Sequence, residues 1–302
     1  MTNRGARRDI VLAVAGAFAF ANTLLWGRAA QRTGAGTPAF LSVRFALTWV
    51  LMMGVLLALR RPALPAKGER LIVVTLGVVA YGFESILFFL AVSHGSTSIV
   101  VVLFYTHVVI VAVGEVLLGA LQPSVRIGAA VAIAMVGAAV VGFGAGDEVR
   151  LEPIGAVYVL GSLACYTGYV LASSRLVRRT EPLTAAAWVA FGAAVGATGW
   201  GVGRGDFGAL PADAIAPIGA MAIATAAAFT LWFVVVGRLG SARTAIIMML
   251  EAPMGIVLTS IGFGDPLSVQ VALGGVLVLA GATLAARETP IEAEMIEAAT
   301  SP

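Results

Sequence analysis

Gly95–Glu115 (GSTSIVVVLFYTHVVIVAVGE) and Gly240–Ser260 (GSARTAIIMMLEAPMGIVLTS), laid one on the other, decide the fold. Each opens on Gly-Ser, runs largely apolar to its end, and carries polar groups near its middle, Thr106 and His107 in the first and Glu251 in the second. A helix needs roughly 20 apolar residues to cross the hydrocarbon core, and a bilayer admits only segments that satisfy their own backbone hydrogen bonds. Both stretches therefore read as transmembrane helices, and they are too long for barrel strands.

Working outward from this pair, further apolar runs lie between charged or Gly/Pro-bearing breaks. The set is 9–30, 38–60, 71–93, 96–120 and 124–144, then 153–175, 183–203, 214–237, 241–263 and 268–286. Composition agrees: 60% of residues are hydrophobic and 12% charged, with mean hydropathy +0.98, whereas soluble domains carry about 25% charged residues. The expected fold is an all-α integral membrane protein of ten transmembrane helices. Arg4, Arg7 and Arg8 before an apolar run suggest a signal peptide, but Ile10–Trp26 exceeds the usual h-region of about 7–15 residues and is expected to stay as the first helix.

Basic residues between the runs act as topology signals. With the N-terminus in the cytoplasm, Arg4, Arg7, Arg8, Arg60, Arg61, Lys67, Arg70, Arg126, Arg175, Arg178, Arg179, Arg238, Arg243 and Arg287 fall on the cytoplasmic side. Only Arg28, Arg32, Arg150 and Arg204 fall outside, with Asp147, Glu148, Asp206, Asp213 and Asp265. This asymmetry favours an even span number with both termini cytoplasmic. The net charge of +3 is spread over short clusters and forms no continuous patch, so no nucleic-acid partner is expected.

Sliding the chain on itself by 144 residues brings Pro38 onto Pro182, Ser124-Val125 onto Ser268-Val269 and Gly137-Ala138 onto Gly281-Ala282. A slide of 145 superposes the two opening stretches. The chain divides into a first five-helix repeat (1–147), a second (148–287) and a polar tail (288–302), expected to be a disordered cytoplasmic end. Five is odd, so the second repeat must enter the membrane from the opposite face. Inverted repeats of this kind are a common plan of secondary transporters, which rock around a midplane site.

At this point the sequence resembles the bacterial EamA-type permeases of the drug/metabolite transporter superfamily, over nearly its whole length. The resemblance rests on the ten-span inverted repeat, Ala21-Asn22 in the first helix, Arg44-Phe45 in the second and Gly-Ser entering the fourth and ninth. Val113-Gly114-Glu115 late in the fourth and Glu251-x-Pro253 in the ninth complete it. The family usually carries a proline in the fourth helix and a glutamate late in the ninth, where this chain has Val108 and Ser260. The resemblance implies a cavity formed by helices one to four and six to nine, a location in the bacterial cytoplasmic (inner) membrane, and export of amino acids, metabolites or toxic compounds.

Ionisable side chains in hydrocarbon cost about 2.5–3.5 kcal/mol on insertion scales, so each must face protein or water. Arg44, Glu84, His107 and Glu251 are the candidates for the path. At 1.5 Å per residue, Arg44 lies about 10 Å and Glu84 about 14 Å in from the outer ends of their helices, depths that allow a pair, structural or functional. His107 and Glu251 bring polar groups to the midplane in equivalent helices, to bind a charged moiety or carry a coupling proton, or simply to hold helices together. Pro253 frees the carbonyl of Met249 and is expected to kink helix nine as a hinge candidate. Tyr81 and Phe88 share a face with Glu84, and Asn22, Trp26, Tyr105, Trp188, Phe229 and Trp232 complete the candidate lining. Glu115 is expected to make a structural or gating contact.

The expected function is a secondary transporter, most simply an exporter of small metabolites such as amino acids or amphipathic drug-like compounds. A channel, a uniporter or importer, and an intramembrane enzyme are the alternatives. No HExxH, no GxSxG with a matching base and no P-loop is present, so neither enzyme nor ATP-driven pump is expected. With two histidines and Cys165 alone, no metal site, disulfide or cofactor is expected. The partners are the lipid bilayer and a small-molecule substrate, and the unit can be complete as a monomer.

Overall fold

The computed structural model describes residues 3–144, 150–205, 207–264 and 268–286. The acidic positions Asp147, Glu148, Asp206 and Asp265, Arg287 and the tail 288–302 lie outside them. Among the described residues, ten helices are long and apolar enough to cross a membrane. They are α1 (Arg7–Arg32), α2 (Thr37–Ala58), α3 (Arg70–Ser93), α4 (Ile99–Leu117), α5 (Val125–Phe143), α6 (Pro153–Leu176), α7 (Pro182–Arg204), α8 (Ala212–Leu239), α9 (Ser241–Phe263) and α10 (Val269–Ala286). Prolines open α2, α6 and α7, where the missing N–H costs no helix bond, and left-handed Gly205 and Gly264 end α7 and α9.

Helix pairing repeats itself under a two-fold. The α1–α8 contact has its counterpart in α3–α6, and α3–α7 has its counterpart in α2–α8. The α2–α7 and α5–α10 pairs are each their own counterpart. Large apolar side chains such as Val11, Leu117, Val125, Val202 and Ile261 stay exposed on the outside of the bundle, as a lipid-facing surface requires.

Small residues set the closest approaches, as in membrane bundles generally. A Cβ on Gly192 of α7 would collide with the Val74 carbonyl oxygen and stand 2.9 Å from Gly77 Cα of α3; one on Gly274 of α10 would stand 2.6 Å from the Gly137 carbonyl oxygen of α5. Gly196 meets the α3 backbone too, while Gly199 and Gly203 of α7 have nothing within 4 Å. The glycine-rich stretch of α7 is thus a seam against the α3 backbone in its first part, while in its later part Gly201 packs on Phe207 and Pro38.

Among the described residues, three helices are irregular part-way along their length. Leu76–Phe83 of α3 is π-helical, α4 is interrupted at Thr106, and α9 is interrupted at Met249-Leu250. The break in α9 is the one expected from Pro253: the freed Met249 carbonyl takes the N–H of Ala252 at 3.2 Å. The break in α4 has no proline, and there Thr106 turns its hydroxyl onto the Leu103 carbonyl at 2.6 Å.

The face bearing Arg60, Arg61, Lys67, Arg178 and Arg179, called the basic face below, is tied across the repeats. Glu69, before α3, accepts the Thr180 hydroxyl at 2.6 Å and the N–H groups of Thr180, Arg179 and Arg178 at 2.9, 2.9 and 3.1 Å. Thr184 and Trp188 donate to the carbonyls of Pro62 and Ala63, and Arg238 reaches buried Asp9 at 2.8 Å. Burial opposes the Glu69 charge, but the Thr180 hydroxyl and the three amides outweigh it and hold the carboxyl below its ordinary 4.5. The clasp therefore stabilises above that pH and is lost as pH falls through the lower folded value. Glu69→Ala leaves three amides without acceptors and is expected to cost about 1–3 kcal/mol, read as a lower unfolding temperature at pH 7 that converges with the parent at acid pH.

Candidate functional site

The interruptions in α4 and α9 place irregular backbone and polar side chains midway along their helices, a situation tolerated in a membrane only against protein or a water-lined space. Glu251 opens the second half of α9 and is half-buried, although Arg44 and Glu84 from two other helices lie within its electrostatic range. His107 opens the second half of α4; its Nδ1–H donates to the Phe104 carbonyl at 2.9 Å, and its ring meets that of Tyr166 edge-on at 4.7 Å.

Arg44 and Glu84 do not form an ion pair among the described residues, although each lies within the other's field. The Arg44 Nε donates to Thr225 at 2.9 Å and the guanidinium covers the Phe45 ring at 4.6 Å. Glu84 instead accepts from Ser85 at 3.1 Å and from Ser162 of α6 at 3.2 Å. Arg44 also feels Glu251, so one guanidinium stands among two carboxyl groups in the middle of the bundle.

Aromatic rings wall this space. Tyr81 packs on Phe229 at 4.6 Å, on Tyr169 at 5.5 Å and on Phe45 at 5.9 Å. Trp232 stacks on Tyr169 at 6.1 Å, and Tyr166 joins Trp232, Tyr81, Phe104 and His107. Tyr105 is buried beside His107 and within the field of Glu251. The Trp232 Nε1 and the Tyr169 hydroxyl are buried without hydrogen-bond partners among the described residues. Such orphaned polar atoms are rare in a finished core.

The candidates thus sort themselves. Arg44, Tyr81, Glu84, Tyr105, His107, Phe229, Trp232 and Glu251 converge. Phe88 stands aside, edge-on to Phe89 at 5.9 Å and to Phe104 at 5.3 Å. Trp188 is an anchor at the basic face, and Trp26 is 37% exposed on the outer face of α1, where the Asn22 amide binds back to the Phe18 carbonyl. The sequence reading missed Tyr166, Tyr169 and Thr225. The repeat held a signal for two of them, because a slide of 144 places Asn22 on Tyr166 and Tyr81 on Thr225.

The profile of the EamA-like transporter family matches residues 7–143 and again residues 153–287. A solved structure, described only as "Crystal structure of protein", aligns over 95% of this chain and 99% of its own with a TM-score of 0.72. At 18% identity that likeness speaks for the fold. No curated protein sequence matches this chain.

Proposed function

The chain belongs to the EamA-like transporter family, and from this premise we propose that it is a secondary carrier exporting a small metabolite, such as an amino acid or an amphipathic drug-like compound. The substrate sits in the central cleft between the repeats, the basic face lies in the cytoplasm of a bacterial inner membrane, and transport proceeds by alternating access. One observation carries this reading: the two interrupted helices, α4 and α9, are repeat equivalents, and His107 and Glu251, which open their second halves, have Tyr105 and Tyr166 as common neighbours. Half-helix ends at the midplane are a recurrent way for carriers to present polar groups to a solute.

The chemistry of the wall suits a solute with both charge and apolar surface. Arg44 and the orphaned donors of Trp232 and Tyr169 can meet a carboxylate, Glu251 can meet an ammonium, and the rings offer stacking and cation–π contacts. Glu84, Glu251 and His107 also provide places to hold a coupling proton. Proteoliposomes loaded with labelled amino acids or cationic dyes, assayed with and without a pH gradient, test the reading. Saturable flux that shows counterflow is the expected outcome; non-saturable conductance would point to a channel and overturn it.

A further inference from the structure

Gly240 alone joins α8 to α9, and its φ of 78° with ψ of 163° is a conformation open to glycine and hardly to any other residue. The turn delivers the first residues of α9 directly beneath the end of α4. There Glu115, 5% exposed, accepts hydrogen bonds from the Ser241 hydroxyl and from the Ala242 N–H, the latter at 3.2 Å. A carboxylate thus meets two donors at a helix N-terminus, where backbone amides lack partners and the helix dipole favours negative charge. The bond joins the first repeat to the second.

The two ends of the α4–α9 crossing differ. Toward the basic face the second half of α4 packs on the first half of α9, and every residue from Ser241 to Leu250 is buried. Toward the opposite face the first half of α4 and the second half of α9 have no comparable packing. There Val101, Leu103, Phe104, Met254 and Leu258 keep part of their surface exposed. The slide of 145 places Ser260 at the position equivalent to Glu115, and Ser96 at that of Ser241. Ser96 takes the Arg150 N–H at 3.3 Å, on the connection between repeats. A serine at 260 has neither the charge nor the reach of a glutamate.

We infer that Glu115 is the pin of a gate at the basic face: its bonds to Ser241 and Ala242 hold α4 against α9 there, and their exchange for water opens that end. Among the described residues no carboxylate takes the repeat-equivalent position at the other end, which Ser260 holds, so the pin biases the protein toward the state closed at the basic face. The bias is small enough to be reversed in each cycle, because water can satisfy both the carboxylate and the amides once the helices part. The pin rests on the alternating-access reading above, but its test reads accessibility and needs no substrate, so the two can fail separately.

The test places single cysteines in a Cys165→Ser background, Ala112→Cys on the packed half of α4 or Leu258→Cys two helical turns beyond Glu251 on α9. Their labelling by a membrane-impermeant maleimide is timed from each side of sealed proteoliposomes. Glu115→Gln, which keeps the shape, and Ser241→Ala, which keeps the carboxylate, are compared with the parent, all checked as monodisperse. Glu115→Gln is expected to speed Ala112→Cys labelling from the basic face about tenfold, the bias of one charge-assisted hydrogen bond, and to slow Leu258→Cys labelling from the other face. Ser241→Ala should move both rates the same way by less. Rates that stay unchanged, or that rise together as local loosening would make them, overturn the inference.

Discussion

Glu251→Gln is expected to abolish most saturable flux while leaving a folded, monodisperse protein. The residue opens a half-helix, is half-buried in the cleft, and shares the field of Arg44 and Glu84. An amide keeps its volume and one acceptor but removes the charge. A hydrogen bond to a charged partner contributes about 1.5–3 kcal/mol, so transport efficiency should fall about tenfold to hundredfold. The contrast lies in α1, where Trp26→Ala should change efficiency by less than about threefold, since exposed substitutions away from a site usually act within ±0.5 kcal/mol. Labelled-solute flux across a concentration series decides the matter. Intact flux in Glu251→Gln would assign the carboxyl to packing and leave the proposed site without its principal charged ligand.

Gly192→Ala is expected to be among the most damaging single methylations for the fold. The added Cβ would run into the Val74 carbonyl and the Gly77 Cα, which are backbone atoms of α3, so no side-chain rotamer can relieve it. Overpacking typically costs about 1–3 kcal/mol, and a contact with backbone on the opposing side belongs at the upper end. The strain would fall on the π-helical stretch Leu76–Phe83, which carries Tyr81 and leads into Glu84, so activity should decline with stability. Gly199→Ala on the same helix meets nothing within 4 Å and should be neutral, or stabilising by up to about 1 kcal/mol through helix propensity. Thermal unfolding in detergent of the two variants side by side would expose an error: equal unfolding temperatures would mean that the α3–α7 seam is not as tight as described.

How far the sequence could be read follows from the range of the forces involved. Hydropathy is local, so the ten spans and their approximate ends stood in the order of residues, and the internal slide carried the two-repeat plan. The kink before Glu251 was legible because Pro253 lacks an N–H whatever surrounds it. The break at Thr106 was not, since a threonine hydroxyl turned onto its own helix looks in sequence like any other threonine. Glu84 choosing Ser162 over Arg44, Trp26 turning outward and Tyr166 turning inward depend on which face each helix presents to its neighbours. Polar spacing along one helix cannot supply that, because in a bilayer both faces are apolar and the amphipathic pattern that orients a soluble helix is faint. Sequence by itself determined that the chain crosses the membrane ten times as two repeats of opposite sense, since burial of apolar length requires it. Only the tertiary structure decided which polar groups lie near one another inside the bundle and which halves of α4 and α9 pack together, since those follow from backbone contacts at glycines and from hydrogen bonds between residues more than a hundred positions apart, such as Glu115 and Ser241.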